Sequence, residues 1–178
     1  VGAPMFGVDV DAARSSAVIS VACWRPDGRP QVEIAAVGDG TDWVLSWLLE
    51  RKRRYGRKTK TFYNGRGPAA SLAEDAEALG LNFESVTSGQ MAQLCGNFYD
   101  DVTTGVLRHR GDSLLTDAVA IGETRPMGDT WVWDLRLPVG ALVAATLALG
   151  ALPPFEKPTP RVVDLAAALA AANAQGGT

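Results

Sequence analysis

FGVDVD at residues 6–11, AVISVACW at 17–24 and QVEIAAV at 31–37 are the stretches that decide the fold. In the first, Phe6, Val8 and Val10 alternate with Gly7, Asp9 and Asp11, which reads as a strand with two acids on one face. The second is rich in β-branched residues and the third alternates again, with Pro26-Asp27-Gly28 supplying turn chemistry between them. Three consecutive antiparallel strands are predicted to open the chain.

Beyond them the pattern changes. Thr41 is placed to cap a helix whose Val44, Trp47, Leu48 and Arg51 share one face and whose stop is Gly56. A short strand over 60–63 follows, broken by Asn64-Gly65-Arg66-Gly67-Pro68. Helices are predicted over 68–79, 90–102, 113–123 and 138–149, and strands over 81–86 and 130–137. The order β-β-β-α-β-α-β-α plus extra elements predicts an α/β domain: a mixed sheet, three antiparallel strands then parallel strands, flanked by helices. From 153 the composition shifts to PPFEKPTP and then to an alanine-rich stretch, so residues 1–152 are read as the domain and 153–178 as a linker and tail.

The 178 residues, 47% hydrophobic and 21% charged, suit one soluble globular domain. No apolar run reaches the roughly 18 residues of a membrane span; the longest, Val139 to Leu152, is punctuated by Gly140 and Gly150. VGAPMFGVDV is no secretory signal, and a start at Val1 without Met points to further sequence upstream. Cys23 and Cys95 lack CxxC spacing, which argues against zinc or a disulfide framework and for a reducing cytoplasm. The net charge of −3 is unevenly placed. RKRRYGRKTK at 51–60 carries seven basic residues, Arg51, Lys52, Arg53, Arg54, Arg57, Lys58 and Lys60, and no acid. The rest of the chain stands at −10, so a polyanion is expected at this cluster, which read blandly is a solvated helix end.

Several acids are candidates for metal-assisted phosphodiester hydrolysis, which needs carboxylates from different elements to converge. Asp9 and Asp11 on the first strand are the natural start; the plain alternative is that they close a strand end in solvent. His109, the single histidine, precedes Asp112 and Asp117, and these three could face one pocket, although Asp112 serves equally as a helix N-cap. Asp100 and Asp101 read as solvated loop acids, Trp43 and Trp47 as core, and Gly65-Arg66-Gly67 matches no phosphate-loop pattern.

Together FGVDVD (6–11), FYNGRGPAASL (62–72), SGQMAQLCGNFYD (88–100), LRHRGDSLLTDAV (107–119), GDTWVWD (128–134) and ALVAATLALG (141–150) resemble the C-terminal nuclease domain of tailed-phage large terminase subunits, in the right order. The resemblance implies an RNase H-like fold and metal-dependent cleavage of concatemeric viral DNA during packaging. It also implies Mg²⁺ or Mn²⁺ as cofactor, two ions being expected. The implied partners are double-stranded DNA, an upstream ATPase domain, the small terminase subunit and the portal, and the implied location is the cytoplasm of an infected bacterial host. Asp9 matches the family's first catalytic aspartate. Asn64 stands where the family usually has Asp, and Leu137-Pro138-Val139-Gly140 stands where it commonly has a third acid. Asp134 is the nearest upstream acid, with Asp112 or Asp117 as the other candidates. The expectation is an endonuclease with Asp9 bridging metal, Asp11 and Asp117 assisting and the 51–60 cluster holding DNA. The alternatives are an inert DNA clamp or motor-docking module of the same fold and, more remotely, a junction resolvase.

Overall fold

The computed structural model describes residues 2–156. Its centre is β1 (Met5–Val10), which pairs antiparallel with β2 (Ser16–Trp24), and β2 pairs antiparallel with β3 (Pro30–Asp39). On its other side β1 runs parallel to β4 (Thr61–Asn64), and β4 parallel to β5 (Phe83–Val86), giving the sheet order β3-β2-β1-β4-β5. This is the mixed sheet, three antiparallel strands then parallel ones, expected from the alternation.

Both faces of the sheet are covered. Phe6, Val8 and Val10 pack with Val44 and Leu48 of α1 (Val44–Tyr55) and with Ala69 and Leu72 of the 3-10 turn Pro68–Leu72. The opposite face carries α5 (Gly140–Gly150), whose residues Ala141 to Ala148 are all buried between the sheet and two helices, α3 (Ser88–Thr103) and α4 (Ser113–Ile121). A helix enclosed on every side needs no polar stripe, which explains its unbroken apolar sequence. Gly7 permits this packing. A Cβ there would collide with the carbonyl oxygen of Ala144 and the amide nitrogen of Ala148, so only glycine lets α5 approach β1 so closely. On the helix's outer side, Trp133 donates through Nε1 to the hydroxyl of Thr146, which itself donates to the Leu142 carbonyl.

Some predicted boundaries shift. The helix expected over 68–79 is the 3-10 turn followed by α2 (Ala73–Ala78), because Pro68 sets the first turn but small residues leave little to prolong it. Trp43, not Thr41, occupies the N-cap of α1, without a side-chain cap. A strand absent from the sequence reading, β6 (Thr124–Met127), pairs antiparallel with β7 (Thr130–Trp133) as a separate ribbon, and the β segment expected to reach 137 ends at Trp133. Pro153 to Phe155, read as the start of an appendage, lie on β2: Trp24 donates through Nε1 to the Pro153 carbonyl and its ring stands 5.4 Å from that of Phe155. The alanine-rich stretch lies outside the described residues.

Candidate active site

Asp9 is the penultimate residue of β1. The register Val8↔Tyr63 places it beside Asn64, the last residue of β4, at the carboxyl ends of two adjacent parallel strands. That end of an open α/β sheet is where ligands bind. Alternation puts Asp9 two residues from Gly7 and Asn64 two residues from Phe62, and both Gly7 and Phe62 face the α5 side. A cleft of about 400 Å³ opens here, lined among others by Asp9, Asp11, Asn64, Pro68, Leu137 and Gly140.

Asp9 is half-buried and, among the described residues, has no basic partner. Burial first, and the neighbouring charge of Asp11 second, push its carboxyl up to about 7, against a smaller pull from the Val10 amide. Gly140, the first residue of α5, makes the space: a Cβ there would stand 3.1 Å from Asp9 Oδ2. Asp11 falls just beyond β1, in the turn to β2. Its Oδ2 accepts from the Ser15 hydroxyl (2.5 Å) and its Oδ1 from the Ser16 amide (3.0 Å), and these bonds hold its carboxyl below the usual range. It is thus both a turn residue and a wall of the cleft. Asn64 accepts from the Arg66 amide through Oδ1 (3.1 Å) and from the Gly67 amide through its carbonyl (2.8 Å), which fixes the turn into Pro68.

The other candidates do not join them. Asp112 caps α4, accepting from the Leu115 amide at 3.1 Å as the N-cap reading expects, and it is not part of the cleft wall. Asp117 is exposed on α4 and is not part of the cleft wall, although Leu114, one turn before it, is. His109 borders a separate apolar pocket of about 200 Å³ with Val32, Phe98 and Leu115, and its Nδ1 accepts from the Gly111 amide. Asp134 is buried and engaged by Arg136, whose Nε bonds both its oxygens (2.9 and 3.0 Å) and whose Nη2 lies 2.5 Å from Oδ2. That fork, with the Arg136 amide, holds Asp134 down at about 2, and Asp134 is not part of the cleft wall. Among the described residues no three His, Cys, Asp or Glu side chains are gathered in a metal-holding group.

The basic cluster lies at the far end of the sheet. Lys60 precedes β4, its carbonyl accepting from the Phe6 amide, and Lys52 Nζ donates to the Gly80 carbonyl. About 10 Å of strand separates Phe6 from Asp9, and the helix carrying the cluster packs on the face away from α5. Arg51 is paired with Glu50 and stacked on Trp47 (4.1 Å), and Lys60 is paired with Glu84 (2.9 Å). Four arginines scattered through the chain are tied to residues of the cleft wall instead, although none of them lines the cleft itself. Arg14 donates to the Pro68 carbonyl, Arg66 follows Asn64, Arg125 shares a second small pocket with Asn64 and Leu135, and Arg136 sits between Leu135 and Leu137.

The fold defined by this sheet and cleft is that of the RNase H-like nuclease domains of phage large terminases. The HK97 bacteriophage large terminase matches with a TM-score of 0.69 at 15% identity over 85% of this chain, which spans only 40% of that protein. The large terminase nuclease from thermophilic phage G20c matches at 0.64 with 18% identity, covering 82% of this chain and 80% of that one. The same nuclease with bound magnesium also scores 0.64, at 17% identity over 83% of this chain and 80% of its own. Further structures of the G20c and Sf6 nucleases carry zinc and manganese respectively. No protein-family model and no curated protein matches the chain.

Proposed function

We propose that this chain is a divalent-metal-dependent DNA endonuclease domain of a phage packaging terminase, cutting concatemeric viral DNA. The observation that carries this reading is the convergence of Asp9, Asp11 and Asn64 on one cleft at the carboxyl ends of β1 and β4. The structural likeness to terminase nucleases, several of them metal-bound, supports it.

The donor set suits a hard divalent cation. Two carboxylates and an amide oxygen meet the oxygen preference of Mg²⁺ or Mn²⁺, which keep waters for the remaining positions. A second ion is less well served: Asp134 is held by Arg136, Asp112 lies outside the cleft wall, and Asn64 brings no charge. When bound, the cation polarises the phosphodiester and makes its water a stronger nucleophile. Asp9 can surrender its proton near neutral pH, Gly140 leaves Oδ2 unobstructed, and the Ser15 and Ser16 bonds hold Asp11 in place. Double-stranded DNA is the substrate. The upstream ATPase domain, small terminase subunit and portal are the partners this reading adds, and the cytoplasm of an infected bacterium is its setting; no helix among the described residues is long and apolar enough to cross a membrane.

A second reading, an inert clamp or motor-docking module of the same fold, is favoured by Asn64 and by the lack of an acid at Pro138 to Gly140. Crystals soaked in MnCl₂ separate the two. Anomalous density beside Asp9 supports the nuclease, and a cleft without manganese in a protein that still binds DNA supports the clamp.

A further inference from the structure

Resting on the nuclease reading, we propose that the nucleic-acid backbone in the cleft is held by Arg66 and Arg125, not by the basic cluster at 51–60. The cleft around Asp9 and the small pocket containing Arg125 share Asn64 and Leu135, so they form one continuous depression across the end of β4. Arg66 lies in the turn that Asn64 itself fixes, its backbone amide donating to Asn64 Oδ1, and Arg125, on the β6–β7 ribbon, lines the pocket that also contains Asn64, so each is tied to Asn64 from a separate element. Both are exposed, and among the described residues neither has a carboxylate at ion-pair distance. Arg136, by contrast, is neutralised by Asp134, and Arg14 is spent on neutral acceptors, the Pro68 carbonyl and the Ser71 and Thr41 hydroxyls.

Cations without an ion-pair partner beside an acidic cleft favour an anion there, because the carboxylates alone would repel a phosphodiester; Arg125 also feels Asp134, but that carboxylate is already forked by Arg136. The cluster cannot supply this contact. Arg53, Arg54, Arg57 and Lys58 are exposed at the opposite end of the sheet, beyond Lys60 and on the α1 side, while Asp9 faces α5. Their place is on an outlying stretch of longer DNA.

The test is binding without cleavage, by fluorescence anisotropy in EDTA, with one duplex of about 10 base pairs, a single helical turn, and one several turns long. Arg66→Ala with Arg125→Ala should weaken the short duplex at least tenfold and reduce the slope of log affinity against log salt by nearly 2, since each lost phosphate contact removes about 0.9. The melting temperature and the Mn²⁺-induced melting shift should stay as in wild type, which a merely misfolded variant would not manage. Replacing Arg53, Arg54, Arg57 and Lys58 by Ala should weaken only the long duplex. Unaltered short-duplex binding in the rim variant, or its loss in the cluster variant, overturns the proposal. Failure of the nuclease reading is seen separately, as absent Mn²⁺-dependent nicking by wild type.

Discussion

The Asp9 carboxylate lies against a residue with no side chain: a Cβ on Gly140 would stand 3.1 Å from Oδ2. The first turn of α5 thereby forms the floor of the cleft, and the space that glycine leaves is the space a ligand of Asp9 needs. Gly140→Ala is therefore expected to keep the fold, since alanine favours helix by up to about 1 kcal/mol over glycine. The methyl group should crowd Asp9 and lower Mn²⁺ affinity several-fold in calorimetric titration. Unchanged affinity would mean that Oδ2 is not a ligand atom.

The pH dependence of stability follows from Asp9. Its carboxyl titrates at about 7 in the folded protein against 3.8 ordinarily. Below pH 3.8 it is protonated in both states and costs nothing. Between about pH 4 and 7 only the unfolded chain ionises, so metal-free stability falls with rising pH and levels off above 7. The difference between 3.8 and about 7 bounds the loss at roughly 4 kcal/mol, and solvent at the cleft mouth makes it smaller. Asp9→Asn should flatten this part of the melting curve between pH 4 and 8 and melt higher than wild type at pH 8. A variant that melts lower at every pH would assign Asp9 a structural role.

Asp112 gives the opposite signature. As the N-cap of α4, its replacement by Ala should cost about 1 kcal/mol, read as a lower melting temperature. The additional melting shift produced by Mn²⁺ should be that of wild type. A diminished metal response would return Asp112 to the list of ligands.

Asn64 keeps the shape of aspartate without its charge. Asn64→Asp should raise Mn²⁺ affinity and increase plasmid nicking at least roughly tenfold, about 1.4 kcal/mol of transition-state stabilisation. Three neighbouring carboxylates repel one another, so metal-free stability should drop slightly and melting should respond more strongly to Mn²⁺. Equal nicking and an equal metal response would favour the clamp.

The sheet was legible because its signals are local. Alternation in FGVDVD and QVEIAAV marks strands, and the unbroken apolar run after Pro138 marks a helix enclosed on all sides. The ribbon strand Thr124-Arg125-Pro126-Met127 was not, since it is largely exposed and carries a proline where alternation would be sought. Asp9 and Asn64 could be paired from sequence only through the resemblance, because their adjacency comes from a parallel register between strands more than fifty residues apart. Asp112 was ambiguous because an aspartate before a helix serves a cap and a metal equally well. Charge density drew attention to the 51–60 cluster, while Arg66 and Arg125 are isolated in the chain, and only topology brings Arg125 into a pocket with Asn64.

The central claim is most directly tested by supercoiled-plasmid nicking with wild type and Asp9→Ala, each with Mn²⁺ and with EDTA. The account predicts nicking by wild type in Mn²⁺ alone, and none by a folded Asp9→Ala protein under either condition. Nicking that survives in EDTA, or in the Asp9 variant, would contradict it.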